Sequence, residues 1–234
     1  MRPGWDIFCR VVDHFGDAGV CWRLARQLAQ EFALDVRLWI DAPQTLQRLA
    51  PDALPGTRVH GVAVERWDDA APPADAAQVV IGAFQCLPPA PYRESMRTRR
   101  SCWINLEHLS AEAWVEAHHG LPSPKPDGLV EHFFFPGFTE STGGLLRERQ
   151  LLVERDRFQS DPQAPRRWLA AQRVQPAPDE TLVSLFCYPD APVAPLLDAL
   201  AARPQRSRVL VPQGVADAAL AAWANSPLAP GDAR

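Results

Sequence analysis

The sequence predicts an α/β fold built on parallel strands, and three observations carry that reading. Short β-branched apolar runs alternate with amphipathic helical patterns, which is how βαβ units read. Val79–Phe84 is almost wholly apolar, as a strand covered on both faces should be. The first apolar run, Ile7 to Val12, breaks at Asp13 and passes through turn chemistry into a helix. In open α/β sheets, ligands bind in the crevice beyond the carboxyl ends of strands.

Trp5–Val12 is the first expected strand. The helix Ala18–Phe32 follows, with Val20, Leu24, Leu28 and Phe32 along one stripe and Cys21, Ala25 and Ala29 widening it. Asp35–Ile40 is a second strand, and Pro43–Leu49 a short helix opened by proline in its first turn. Thr57–Val64 is read as a third strand and Val79–Phe84 as a fourth. Tyr92–Arg100 is polar and helical, Ser101–Leu106 is a fifth strand, and a helix runs from Ser110 to about His118. Leu121–Gly128 reads as loop, His132–Phe138 as a dense aromatic segment and Ser141–Gly144 as a small-residue turn. Arg147–Ala171 is charged and helical in part. A second series then begins: strand Thr181–Tyr188, helix Ala194–Ala202, strand Arg208–Val211 and helix Ala216–Trp223.

A chain of 234 residues exceeds the usual size of one domain. The expected division is a first domain over 1–150, a connector over 151–179, and the start of a second domain over 180–234. Two strands cannot bury both faces of a sheet, and a self-standing α/β domain normally needs roughly 100 residues. The second domain is therefore expected to be cut short.

An apolar fraction of 47% with 22% charged residues is globular. The net charge of −4 argues against nucleic-acid binding, which relies on a basic footprint. No apolar run approaches the ~20 residues of a membrane span, and the N-terminus lacks a signal-peptide pattern. The five cysteines are an odd number with no C-x-x-C, and four lie in or beside apolar runs. These features fit a reducing cytoplasm. His108, His118, His119 and His132 offer no metal-ligand spacing.

Phe8–Ala29, reading F-C-R-V-V-D-H-F-G-D-A-G-V-C-W-R-L-A-R-Q-L-A, concentrates the chemistry. It holds two carboxylates four residues apart, Asp13 and Asp17, with Gly16 and Gly19 thinning the backbone around them. Asp17 has two readings: an N-cap of the helix expected from Ala18, bonding that helix's first amides, or a reacting carboxylate. Asp13 equally could end a strand in a turn. Gly16–Gly19 does not complete G-x-G-x-x-G.

This stretch, with W-I-N-L-E-H-L-S-A-E-A-W-V-E (Trp103–Glu116), H-G-L-P-S-P (His119–Pro124), F-F-F-P-G-F-T (Phe133–Thr139), T-G-G-L (Thr142–Leu145) and S-L-F-C-Y (Ser184–Tyr188), resembles the protein-arginine rhamnosyltransferases of bacterial elongation factor P, the EarP family. The motifs run in order over essentially the whole chain. The resemblance implies a GT-B arrangement of two Rossmann-like domains, the first binding the acceptor and the second the nucleotide sugar. It implies transfer of L-rhamnose from dTDP-β-L-rhamnose to an arginine of elongation factor P, with inversion, without a metal and without a cofactor. Asp13 and Asp17 would be the acceptor-side catalytic carboxylates, and Phe186 and Tyr188 would face the donor. The family's later nucleotide-binding segment has no counterpart before Arg234. The chain departs from the family pattern at His14 (usually asparagine), Ala18 (commonly isoleucine) and Gly82 (a glutamate).

The chemistry suits the residues. A guanidinium is delocalised and a poor nucleophile. Paired carboxylates can orient it, localise its charge and accept a proton as the C–N bond forms. Phe186 and Tyr188 would share one face of their strand by period two, stacking on a donor or packing a core. Glu107 follows a strand end and is a candidate for the acceptor side. For Gly16 and Gly19, close approach of the acceptor or sugar to the backbone is the better role. These two glycines, and Gln213 after V-L-V-P, are candidates for the donor side. Three rivals stand beside this reading. An aspartate-nucleophile phosphotransferase wants its carboxylates two apart, not four. A transferase of the same fold with a small-molecule acceptor differs only around the crevice. A truncated module would dock elongation factor P without catalysis.

Overall fold

The computed structural model describes residues 4–68, 75–212, 214 and 216–225. The chain divides into two compact units, Met1–Leu152 and Val153–Arg234. In the first, the chain order is β1 (Gly4–Cys9), α1 (His14–Glu31), β2 (Asp35–Ile40), α2 (Pro43–Leu49), β3 (Thr57–Val59), β4 (Val62–Arg66), β5 (Val79–Ala83), α3 (Ala90–Arg99), β6 (Cys102–Leu106), α4 (Trp114–His118), β7 (Pro122–Pro124) and β8 (Val130–Phe134). The strands form one sheet in the order β3-β4-β2-β1-β5-β6-β8-β7. Six central strands are parallel, and the two short edge strands pair antiparallel. Ile7 lies between Leu38 and Ile81, and Phe8 between Trp39 and Gly82.

Alternation along β1 sends its side chains to two cores. Ile7 and Cys9 pack with Leu38, Ile40 and Ile81 under Ala18, Cys21, Trp22 and Ala25 of α1. Phe8 and Val80 pack with Trp67, Trp103, and Tyr92 and Met96 of α3 on the other face. Phe8 meets Tyr92 edge-on at 4.7 Å and Trp67 at 5.7 Å. Truncating so enclosed a ring to alanine would cost roughly 3–5 kcal/mol. Asp6, fully buried on the same strand, accepts two bonds from Arg37, both at 2.6 Å, and the Tyr92 hydroxyl. Burial, then the neighbouring Asp6 charge, pushes the Tyr92 phenol well above its ordinary range.

Several boundaries differ from the sequence reading. β1 stops at Cys9, not Val12, because the next amides turn to side-chain carboxylates. α1 starts at His14 rather than Ala18. Its buried stripe is centred on the small residues Ala18, Cys21 and Ala25, which bring the helix close to the sheet, while Phe32 is 60% exposed. The single strand expected over Thr57–Val64 is a hairpin. His60 and Gly61 both take positive φ, 52° and 86°, which is what a two-residue type I′ connection requires. The helix expected from Ser110 begins at Trp114, and the expected loop Leu121–Gly128 contains β7.

α5 (Leu151–Ser160) spans the boundary between the units. The second unit holds α6 (Ala164–Ala171), β9 (Thr181–Ser184), α7 (Val193–Ala201), β10 (Ser207–Leu210) and α8 (Asp217–Asn225). β9 and β10 pair in parallel as a two-stranded sheet joined through α7. Leu185, Val193 and Leu197 form its core with Val209, Leu220 and Trp223 around them. The Trp223 indole N–H donates to Asp198 at 2.7 Å, fastening α8 to α7. The strand expected over Thr181–Tyr188 ends at Ser184. Phe186 and Tyr188 therefore lie beyond it, and the period-two argument for a shared strand face does not hold.

Candidate active site

Strand order places the site. From β1 the sheet grows through β2 and β4 in one direction, and through β5, β6 and β8 in the other. α1, after β1, covers one face, and α3, after β5, covers the other. The segments leaving β1 and β5 thus part company between two adjacent strands, opening a crevice at the topological switch point. A cavity of about 660 Å³ occupies it. Arg10, Val12, Asp13 and Asp17 line it from the β1 side. Residues 84–90 and Arg93 line it from the β5 side, and His108 from the segment after β6.

Three successive amides leaving β1 are received by carboxylates. The Val11 N–H donates to Asp41 Oδ1 at 2.9 Å, and the Val12 and Asp13 N–H groups both donate to Asp17 Oδ2 at 2.8 Å. Asp17 is 3% exposed and sits in the first turn of α1, where a negative charge also favours the helix dipole. Its side chain bonds amides that precede the helix, so the N-cap reading is corrected. By position the N-cap is Asp13, whose side chain makes no capping bond, and Asp13 is exposed to the cavity. The Gly16 N–H donates to the Asp13 carbonyl at 2.8 Å, and a Cβ on Gly16 would stand 3.1 Å from Asp13 Oδ2. Gly16 keeps room for that carboxylate. A Cβ on Gly19 would meet Leu49 at 3.6 Å, so Gly19 faces α2. Neither glycine lines the cavity.

The opposite wall was not visible in the sequence. Phe84 and Gln85 are consecutive non-glycine residues with φ of 55° and 62°. Their turn carries the Cys86 carbonyl back over Gly82, where a Cβ would lie 2.3 Å from that oxygen. This close approach leaves no room for a side chain at Gly82. The same Cβ would lie 3.5 Å from the Trp103 indole nitrogen, which is buried with no hydrogen-bond partner. Buried Asn105 accepts the Gln85 N–H at 3.2 Å and donates to Glu107 at 3.0 Å. Glu107 thus backs the turn, while its neighbour His108 lines the cavity.

The two arginines of the wall have internal partners. The Arg10 guanidinium lies 5.1 Å over the Trp67 ring, and Arg93 pairs with Asp127 at 2.9 Å. Burial pushes the Cys86 thiol up to about 12, which leaves too little thiolate for nucleophilic work near neutrality. Phe186 and Tyr188 belong to the second unit and are 71% and 62% exposed. Gln213 lies outside the described residues. Among the described residues no three or more His, Cys, Asp or Glu side chains form a cluster that could hold a metal ion, and no helix is long and apolar enough to cross a membrane.

Two parallel α/β units in series, the first with paired carboxylates at its switch point, place the chain in the α/β class of GT-B glycosyltransferase folds. Its match to a solved structure described as the structural basis for EarP-mediated arginine glycosylation of translation elongation factor EF-P has a TM-score of 0.56. That match is at 34% identity and covers 99% of this chain and 56% of that one. The family model described as elongation-factor P (EF-P) rhamnosyltransferase EarP matches residues 5–234, and the chain belongs to this family. A protein-arginine rhamnosyltransferase of Pseudomonas putida KT2440 is 50% identical over 240 residues, covering 100% of this chain and 64% of the relative. One from Pseudomonas aeruginosa PAO1 is 48% identical over 224 residues, covering 94% and 60%. The chain therefore spans less than two thirds of the length of these relatives.

Proposed function

We propose that the protein containing this chain is a cytoplasmic, inverting, metal-independent glycosyltransferase that moves L-rhamnose from dTDP-β-L-rhamnose to an arginine side chain of elongation factor P. The observation that carries the reading is the carboxylate pair at the switch-point cavity, Asp17 fixed by two amides and Asp13 exposed beside it. Asp13 receives the acceptor guanidinium and localises its charge toward the carboxylate. A guanidino nitrogen then attacks the anomeric carbon from the face opposite the leaving group. The C–O bond to the pyrophosphate breaks and dTDP departs with the electron pair. The proton released by the attacking nitrogen passes to Asp17, whose position is set before substrate arrives.

On this reading Phe186 and Tyr188 contact the donor, with Gln213, and no resident cofactor is needed. Glu107 contributes on the acceptor side by backing the Phe84–Gln85 turn through Asn105. The test is incubation of the full-length protein with elongation factor P and dTDP-β-L-rhamnose, followed by intact mass and peptide mapping. A gain of one rhamnose on one arginine is the expected result. No gain, or sugar on another residue type, overturns the reading.

A further inference from the structure

Phe84 and Gln85 occupy left-handed backbone, a conformation that costs non-glycine residues roughly 1–3 kcal/mol each and persists only where the surroundings over-determine it. Here they do. The Phe84 N–H donates to Leu106 O at 2.7 Å, the Gln85 N–H to Asn105, and the Cys86 N–H to Ala83 O at 3.0 Å. What this turn achieves is the placement of one ring. Phe84 lies parallel to His108, with centroids 4.1 Å apart and planes 9° apart. Phe84 is half-buried against the sheet core, His108 is exposed, and both line the cavity that holds Asp13 and Asp17.

We propose that the Phe84–His108 stack is a flat wall that receives the face of the acceptor guanidinium and selects arginine over lysine. The inference rests on the acceptor proposed above. A guanidinium makes two kinds of contact at right angles: hydrogen bonds in its plane to carboxylates, and stacking of its weakly hydrated faces on aromatic rings. An ammonium is a compact, strongly hydrated charge that gains less from a ring face. A cavity presenting carboxylates together with a rigid ring pair therefore favours a planar cation. The protein's own cavity-lining guanidiniums do not take that place, since Arg10 sits over Trp67 and Arg93 is held by Asp127.

The test has two arms. In the first, rhamnose transfer to elongation factor P is measured for the full-length protein, for His108→Ala and for His108→Phe, which keeps a ring. His108→Ala should raise the acceptor KM roughly tenfold with kcat within about twofold, and His108→Phe should stay near wild type. In the second, N-acetyl-arginine methylamide and its lysine counterpart are titrated onto the protein while the His108 ring protons, identified by their loss in His108→Ala, are followed by NMR. The arginine compound should move them by ring-current shift and the lysine compound should not. An unchanged KM in His108→Ala overturns the proposal. So does an arginine compound that shifts the Asp13 amide while leaving the His108 ring unmoved, or a lysine compound that binds equally well. If the wild-type protein transfers no rhamnose, the functional reading fails, and the NMR arm still decides whether the wall takes a guanidinium.

Discussion

The carboxylate of Asp17 holds the backbone that carries Asp13: Asp17 Oδ2 accepts the Asp13 N–H at 2.8 Å, and the Val12 N–H at the same distance. One member of the pair thus builds the position of the other. Asp17→Ala removes the acceptor of two half-buried amides, and a lost hydrogen bond of this kind costs about 0.5–1.5 kcal/mol. Asp17→Asn keeps an oxygen in place and should hold most of that stability; if Asp17 is the proton acceptor proposed above, it lowers turnover by roughly 10²–10⁴. Thermal unfolding should therefore separate the two variants, and transfer assays should not. An Asp17→Asn protein with wild-type turnover would remove Asp17 from the proton-transfer role.

The position of this pair was legible in the sequence for a physical reason. An apolar run that breaks at an aspartate before a helix marks a strand's carboxyl end, and that end is where the crevice lies. The opposing wall was not legible. Nothing in A-F-Q-C marks Phe84 and Gln85 as left-handed, because that conformation is imposed by Asn105, Leu106 and the space above Gly82. The hairpin inside Thr57–Val64 did carry a signal, His60–Gly61, which the apolar run concealed. The end of β9 at Ser184 carried none, since Leu185, Phe186 and Cys187 continue the apolar run.

Gly82 gives a sharper test of the β5 wall. A methyl group there would stand 2.3 Å from the Cys86 carbonyl, backbone that has nowhere simple to go. Gly82→Ala should destabilise the protein by about 1–3 kcal/mol, the usual cost of overpacking. It should also disturb the Phe84–His108 stack. A variant with the wild-type melting temperature would show that the turn moves freely.

The segment that closes the first unit is pinned electrostatically to α1. Arg23 gives Glu148 two bonds, at 2.8 and 2.6 Å, and this hydrogen bonding holds the Glu148 carboxyl below its ordinary value of 4.5. A depressed folded-state value contributes stability that is fully present above 4.5 and is lost as the pH falls through the lower folded value. With Arg23 44% and Glu148 32% exposed, solvent screening limits the contribution to under about 1 kcal/mol. The melting-temperature gap between wild type and Glu148→Gln should therefore be constant above 4.5 and shrink below it. A gap that widens with acid would assign the pH dependence elsewhere.

Phe186 and Tyr188 pose the opposite case, aromatic rings that the second unit leaves 71% and 62% exposed past the end of β9. Phe186 buries so little of its surface that alanine there should change stability by no more than about 0.5 kcal/mol. If the two rings meet the donor, the loss appears in binding instead. An aromatic stacking contact is worth about 0.5–1.5 kcal/mol beyond burial, so each variant of the full-length protein should raise the KM for dTDP-β-L-rhamnose roughly two- to tenfold. The KM for elongation factor P should stay within error. Paired measurements of melting temperature and donor KM decide between the roles: a drop in stability with an unchanged donor KM would make these two rings part of the core after all.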